Sequence, residues 1–201
     1  MPNAIDFYFD FGSPYGYFAS TVIDDLAARH GRGVDWHPVL LDTVFKTTGA
    51  TPLPLIPLKG AYSVRDVERT ARFHKIAFRK PDNFPVPTQN AARAMLWAQS
   101  AKGDEMSVRL ARAIFQAAFV DNRNISDTAV LAELASGLGL DGAALLDGVQ
   151  SAAIKEQLRA ETDLAMAKGV FGSPFVIVDG EPFWGFDRLD QVEALLRDGR
   201  V

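Results

Sequence analysis

The feature that most constrains this chain is the placement of its strand-like segments, which occur only near its two ends. At the start, Phe7, Phe9 and Phe11 alternate with Tyr8 and Asp10, a period of two that fits a pleated strand with one apolar face. A helical pattern follows over Tyr15–Arg29, with Phe18, Val22, Ile23 and Leu26 on one side, and "HGRG" closes it. Val34–Leu41 then reads as a second strand, and a strand-helix-strand order implies a parallel pair. Strand character returns only in "SPFVIVDGEPFWG", where Phe175–Val178 and Glu181–Trp184 flank Asp179-Gly180, a two-residue hairpin signal. A last helix covers about Asp187–Arg197.

Between these ends the pattern is helical, over Tyr62–His74, Thr88–Ala101, Asp104–Val120, Ser126–Gly137, Asp141–Val149 and Ser151–Lys168. Ser126 with Asp127, and Asp141, are candidate caps, and Gly103, Gly137 and Gly169 punctuate the ends. "TTGATPLPLIPL", after Asp42, carries Pro52, Pro54 and Pro57 and reads as the loop that opens an insertion. A sheet assembled from both ends around a helical block describes an α/β fold, a thioredoxin-like domain with a large all-helical insertion. The expected division is 1–41 with 169–201 for the discontinuous thioredoxin-like domain and 42–168 for the insertion. The last insertion helix is free to pack back on the sheet.

Composition narrows the chemistry. The chain has no cysteine, which excludes disulfides, thiolate metal sites and a dithiol redox cycle run by its own side chains. A formal charge of −4 argues against nucleic acid as a partner. No apolar run suits a membrane span, and "MPNAIDFYFD" lacks the basic start and apolar stretch of a signal peptide, so a cytoplasmic location is expected. His30, His37 and His74 lack zinc-like spacing, and the sequence carries neither an EF-hand pattern nor a glycine-rich phosphate loop. One segment departs from the overall charge: Lys59–Lys80 holds seven Lys/Arg against two Asp/Glu. Most such faces are simply solvated, and Asp66 with Arg69 at i,i+3 accounts for part of the charge by pairing within a helix.

"FYFDFGSPYGYFA", "KGAYSVRDVERTA" with "FPVPT", and "GVFGSPFVIVDGEPFWGFDRLDQVEALL" together resemble the 2-hydroxychromene-2-carboxylate isomerase family, over essentially the whole chain. That family is related to kappa-class glutathione transferases and, more distantly, to DsbA-type oxidoreductases. The resemblance implies a DsbA/kappa-type fold, glutathione as cofactor, a small aromatic carboxylate as substrate, and a homodimer. It implies that Ser13, which on local grounds alone is a helix cap, stabilises the glutathione thiolate. A second implication is a cis peptide at Ser173-Pro174, which sets the backbone of Ser173 beside Ser13. Asp187, on local grounds also a cap, grips the γ-glutamyl end, and Lys59 lies near the site.

The chain departs from the family at two positions. Phe186 stands where asparagine or serine is expected, and Ala50 stands where asparagine is common, so two polar contacts to glutathione are missing. Phe171, Trp184 and Phe186 are expected to wall an apolar pocket. A kappa-like transferase that conjugates electrophiles and a non-catalytic binding protein on the same shell are the two alternatives.

Overall fold

The computed structural model describes residues 4–201, so the first three residues of the expected first domain segment lie outside the described residues. In chain order the elements are β1 (Ile5–Phe9), α1 (Pro14–Ser20), α2 (Ile23–Arg29), β2 (Val34–Pro38), α3 (Leu41–Thr48) and α4 (Lys59–His74). Then come α5 (Gln89–Lys102), α6 (Asp104–Phe119), α7 (Thr128–Gly137), α8 (Gly142–Gln150), α9 (Ala152–Ala167), β3 (Phe175–Val178), β4 (Glu181–Trp184) and α10 (Leu189–Asp198). The four strands form one sheet in the order β2-β1-β3-β4, with β1 and β2 parallel and the other pairs antiparallel. This is the α/β thioredoxin-like sheet expected from strand segments at both chain ends. No described helix is long and apolar enough to cross a membrane.

The aromatic alternation of β1 sorts its side chains between two faces. Ile5, Phe7 and Phe9 enter the main core with Phe11, and Phe9 meets Phe115 of α6 at 5.4 Å between ring centroids. Trp36 of β2 stands edge-on to Phe7 at 5.0 Å. Each fully buried phenylalanine here contributes roughly 1.5–3 kcal/mol. Tyr8 points to the other face, where Val39, Ala165 of α9, Val170 and Phe175 form a second cluster. The helix Ala152–Ala167 thus packs back on the sheet. The hairpin forms at Asp179-Gly180, both with positive φ (51° and 93°), as a tight two-residue turn requires.

Three local expectations are corrected. Tyr15–Arg29 is two helices, because the Ser20 and Thr21 hydroxyls donate to the carbonyls of Tyr17 (2.6 Å) and Phe18 (2.7 Å) and divert the backbone ladder. The chain after Leu41 is not yet loop: Leu41–Thr48 is a helix that ends at Gly49, left-handed with φ 73°, and the proline run begins only beyond it. The basic helix starts at Lys59 rather than Tyr62, where Gly60 lets it slide under the proline loop: a Cβ there would meet the Pro54 carbonyl oxygen at 2.3 Å.

On the α9 side of the sheet, His37 bridges two carboxylates. Its Nε2 lies 3.3 Å from Asp6 Oδ1, its Nδ1 3.3 Å from Glu161 Oε2, and its ring stacks on Tyr8 at 4.6 Å. Burial pulls the imidazole pKa down, but the hydrogen bond and charge of Glu161, followed by those of Asp6, outweigh it and leave the pKa above its ordinary value. A raised folded-state pKa stabilises the fold fully below the unfolded value, about 6.5, and that stabilisation is lost as pH rises through the folded value. Urea unfolding is therefore expected to show stability declining as pH rises above about 6.5, a decline that His37→Gln flattens. Parallel profiles for the two proteins would rule out this linkage.

Candidate functional site

The first turn after β1 and the turn before β3 meet at one point. Ser13 is the N-cap of α1, with its Oγ accepting from the Gly16 N–H at 3.0 Å and Pro14 in the first helical position. The same hydroxyl donates to the Ser173 carbonyl at 2.9 Å. Ser173 answers through its side chain, whose Oγ accepts from the Asp10 N–H at 3.0 Å. The Ser173-Pro174 bond is cis, as the resemblance implies, and Phe84-Pro85 is cis as well. Gly16 permits the approach: a Cβ on it would come within 2.7 Å of Ser173 Oγ.

Asp10, only 5% exposed, ties this corner to the next element. Its Oδ1 accepts from the Gly12 N–H at 2.7 Å and its Oδ2 from the Leu41 N–H at 2.8 Å. Burial pushes its pKa up, while the hydrogen bonds from Leu41, Gly12 and Thr88 pull it back down. Sequence reading missed this residue. Its only local signal is an aspartate two residues before a turn that needs its N–H groups held.

Above these residues opens a cavity of about 980 Å³. Its floor includes Asp10, Gly12, Ser13, Ser173 and Thr88, and its walls come from α3, the proline loop, α4, the Pro81–Val86 segment and α5. Phe171 and Trp184 form one rim, with centroids 5.0 Å apart and both rings partly exposed. The Trp184 indole lies so close over Gly172 that a Cβ there would be 2.2 Å from its Nε1. Tyr15 also lines the cavity, and its hydroxyl donates to Asp66, which in turn accepts from Arg69. Burial, then the hydrogen bond and charge of Asp66, raise the Tyr15 pKa, so it stays a phenol. The Asp66–Arg69 pair expected within the basic helix is present, with Tyr62 accepting from Arg69 at 3.0 Å.

Of the residues implied by the resemblance, Ser13 and Ser173 line the cavity, and Pro174 follows directly behind Ser173. Lys59, in the first turn of α4, is exposed and outside the cavity lining. Asp187 is 72% exposed in the short turn Phe186–Arg188, pairs with Arg188 at 3.5 Å, and also stands outside the lining. Of the Lys/Arg residues in the basic segment, only Lys80 lines the cavity, where Lys46 and Arg93 join it. Ala50 does line the cavity.

Phe186 is the correction. It is 8% exposed and packs in the core, edge-on to Phe18 at 5.7 Å and to His74 at 4.8 Å, and it does not line this cavity. Its apolar identity is explained by this packing, without reference to a ligand.

With this geometry in place, the relatives become informative. The profile of the DSBA-like thioredoxin domain matches residues 4–197. A 2-hydroxychromene-2-carboxylate isomerase from Sphingobium xenophagum is 31% identical, over 98% of this chain and all of its own length. Glutathione S-transferase kappa 2 of Caenorhabditis elegans is 29% identical, over 98% of this chain and 94% of its own. The solved structure of a 2-hydroxychromene-2-carboxylate isomerase superposes with a TM-score of 0.85 at 25% identity, covering 96% of this chain and 94% of that one. The chain belongs to the DsbA-like thioredoxin family and, within it, to the 2-hydroxychromene-2-carboxylate isomerase family. It is by that membership an isomerase.

The packing of Phe186 gives an expectation that separates core from site. Phe186→Ala should cost about 3–5 kcal/mol, lowering the thermal midpoint by on the order of 10 °C for a chain of this size. Differential scanning calorimetry reads this directly. A midpoint within about 2 °C of the wild type would mean that the ring is not a core element.

Proposed function

We propose that this chain is a cytoplasmic glutathione-dependent isomerase acting on 2-hydroxychromene-2-carboxylate or a similar aromatic carboxylate. The observation that carries this reading is the pairing of the Ser13 hydroxyl with the Ser173 backbone at the floor of a largely apolar cavity. The donor set suits a peptide thiol. The single proton of Ser13, 7% exposed, is donated here to the Ser173 carbonyl; turning it toward a bound sulfur would free that carbonyl to accept from an extended peptide. The residues that would hold glutathione are Ser13, Ser173 and Pro174, with Asp187 and Lys59 for its charged ends. When bound, glutathione supplies a sulfur anion that attacks an electron-poor carbon of the substrate and leaves again.

The chain's own residues act mainly on charge. The Gly16 N–H already donates to Ser13 Oγ, which polarises the hydroxyl and makes it a stronger donor to an anion. Ser13 keeps its proton, because its hydrogen bonds run to a backbone amide and a backbone carbonyl, neither of which is a base. Phe171 and Trp184 offer ring faces to an aromatic substrate and keep water from that rim. Lys46 and Lys80 give the cavity wall positive charge, which draws anions from solution. The exposed Lys59 and Asp187 contribute modestly, at roughly 0–1 kcal/mol each.

A second reading, a kappa-like transferase, is favoured by the full-length match to kappa relatives and uses the same floor. The two differ in whether the thiol is returned. Calorimetric titration with glutathione, followed by product analysis on a hydroxychromene carboxylate, separates them: an isomer with thiol recovered supports the first, a conjugate the second. Absence of both binding and turnover would sink both readings.

For Ser13→Ala we expect turnover to fall by about 100-fold or more, the effect of deleting one donor to a developing anion. The ultraviolet thiolate signal of the complex should titrate at higher pH than in the wild type. The lost cap costs about 1 kcal/mol, so the variant remains folded. An unchanged thiol titration would remove Ser13 from the mechanism.

A further inference from the structure

Arg93 is a charged group of the cavity that neither the fold nor the proposed chemistry uses. It sits on α5 and lines the cavity, and its Nε is closed off from water with no hydrogen-bond partner. No described residue forms an ion pair with it. Other arginines of this chain do find carboxylates: Arg29 meets Glu193 at 2.8 Å, Arg112 meets Asp24 at 2.8 Å, and Arg123 meets Glu133 at 2.5 Å. The helix around it, "QNAARAMLWAQSAK", contains no acid that might serve. The acids lining the cavity are Asp10 and Asp42, and both oxygens of Asp10 are already held by backbone N–H groups. A guanidinium stays charged at any physiological pH, and holding it partly desolvated without a counter-charge is unfavourable. The fold gains nothing visible from it, so the missing partner belongs to whatever enters the cavity.

We propose that Arg93 is the carboxylate anchor of the cavity. A carboxylate is the group whose geometry and charge match a guanidinium fork, and such charge-assisted pairs are among the stronger hydrogen bonds. Lys46 and Lys80 also line the cavity, but both are exposed. They act as general attraction, whereas Arg93, half-buried on a helix, fixes orientation. The anchor deepens the proposed function and rests on it for the identity of the cavity's occupants. The carboxylate has two possible sources in that reading, the aromatic substrate and glutathione itself.

The test uses the full chain and two ligand pairs: an aromatic 2-oxo acid against its methyl ester, and glutathione against its glycyl monoester. Calorimetry compares wild type, Arg93→Met and Arg93→Lys. The wild type should prefer at least one acid over its ester, and Arg93→Met should abolish that preference by weakening the acid about 10- to 100-fold while the ester changes little. Arg93→Lys should recover part of it. Loss confined to the 2-oxo acid assigns the anchor to the substrate, and loss confined to glutathione assigns it to the thiol. Because Arg93 lacks a partner in the fold, Arg93→Met should also unfold at or above the wild-type temperature. An acid preference that survives Arg93→Met, or a wild type with no preference in either pair, overturns the proposal. If glutathione does not bind and no isomer forms, the proposed function fails on its own, while a 2-oxo acid preference lost in Arg93→Met still upholds the anchor.

Discussion

The hydrogen bond from the Ser13 hydroxyl to the Ser173 carbonyl joins residues 160 apart in sequence, and the floor of the cavity depends on it. Its geometry is inherited from the sheet. The antiparallel register of β1 and β3 pairs Asp6 with Ile177, Phe7 with Val176 and Tyr8 with Phe175. Continuing that register past the strand ends brings Asp10 opposite Ser173, where the Asp10 N–H donates to Ser173 Oγ. A slip of one residue would turn Phe7 and Phe9 out of the core, so burial of those rings locks the register and with it the meeting of the two serines. The site is thus held by core packing that lies well away from its reacting groups.

The same corner explains why Asp10 is an acid rather than an amide. Two backbone N–H groups, from Gly12 and Leu41, point at opposite oxygens of one side chain, and an amide would turn a donor toward one of them. Burial makes the charge expensive, and these hydrogen bonds offset part of that cost. In return, the end of β1, the start of α1 and the start of α3 are fixed to a single group. The cavity wall built by α3 and the proline loop is positioned by a residue beneath the floor.

Much of this was legible in the sequence, and the rest was hidden for identifiable reasons. The alternation of Phe7, Phe9 and Phe11 and the Asp179-Gly180 turn are local signals, and both strands and hairpin followed from them. The break at Ser20 and Thr21 depends on hydroxyls competing for carbonyls, which leaves the apolar period of the helix intact and so escapes a reading by periodicity. Helix Leu41–Thr48 was overshadowed by the prolines that come after it. Ser13 and Ser173 were singled out through the family resemblance; the local sequence signalled only a helix cap at the first and a turn at the second. Phe186 was misread because adjacency to Asp187 does not say which way a ring points, and here it points to Phe18. Arg93 was invisible because lacking a partner is a property of the folded molecule alone.

Taken together, the groups around the cavity act on anions rather than on protons. Among the described residues no histidine lines it, Tyr15 holds its proton against Asp66, and both oxygens of Asp10 are occupied. Beside Asp42, Gln89 and several other Ser/Thr hydroxyls, the lining offers one polarised hydroxyl, Ser13, and the cations Lys46, Lys80 and Arg93, set in a wall rich in Leu, Ile, Val, Pro and Phe. Such a wall lowers the local dielectric and strengthens each of those interactions relative to water. A reaction suited to this setting develops negative charge on sulfur and oxygen and then returns it, without a strong base from the protein. Reversible attack by a thiolate on a conjugated carboxylate has that character. Because the chain has no cysteine, the proposed function requires that the reacting sulfur come with a ligand, and the part left to the protein is the field in which that sulfur would react.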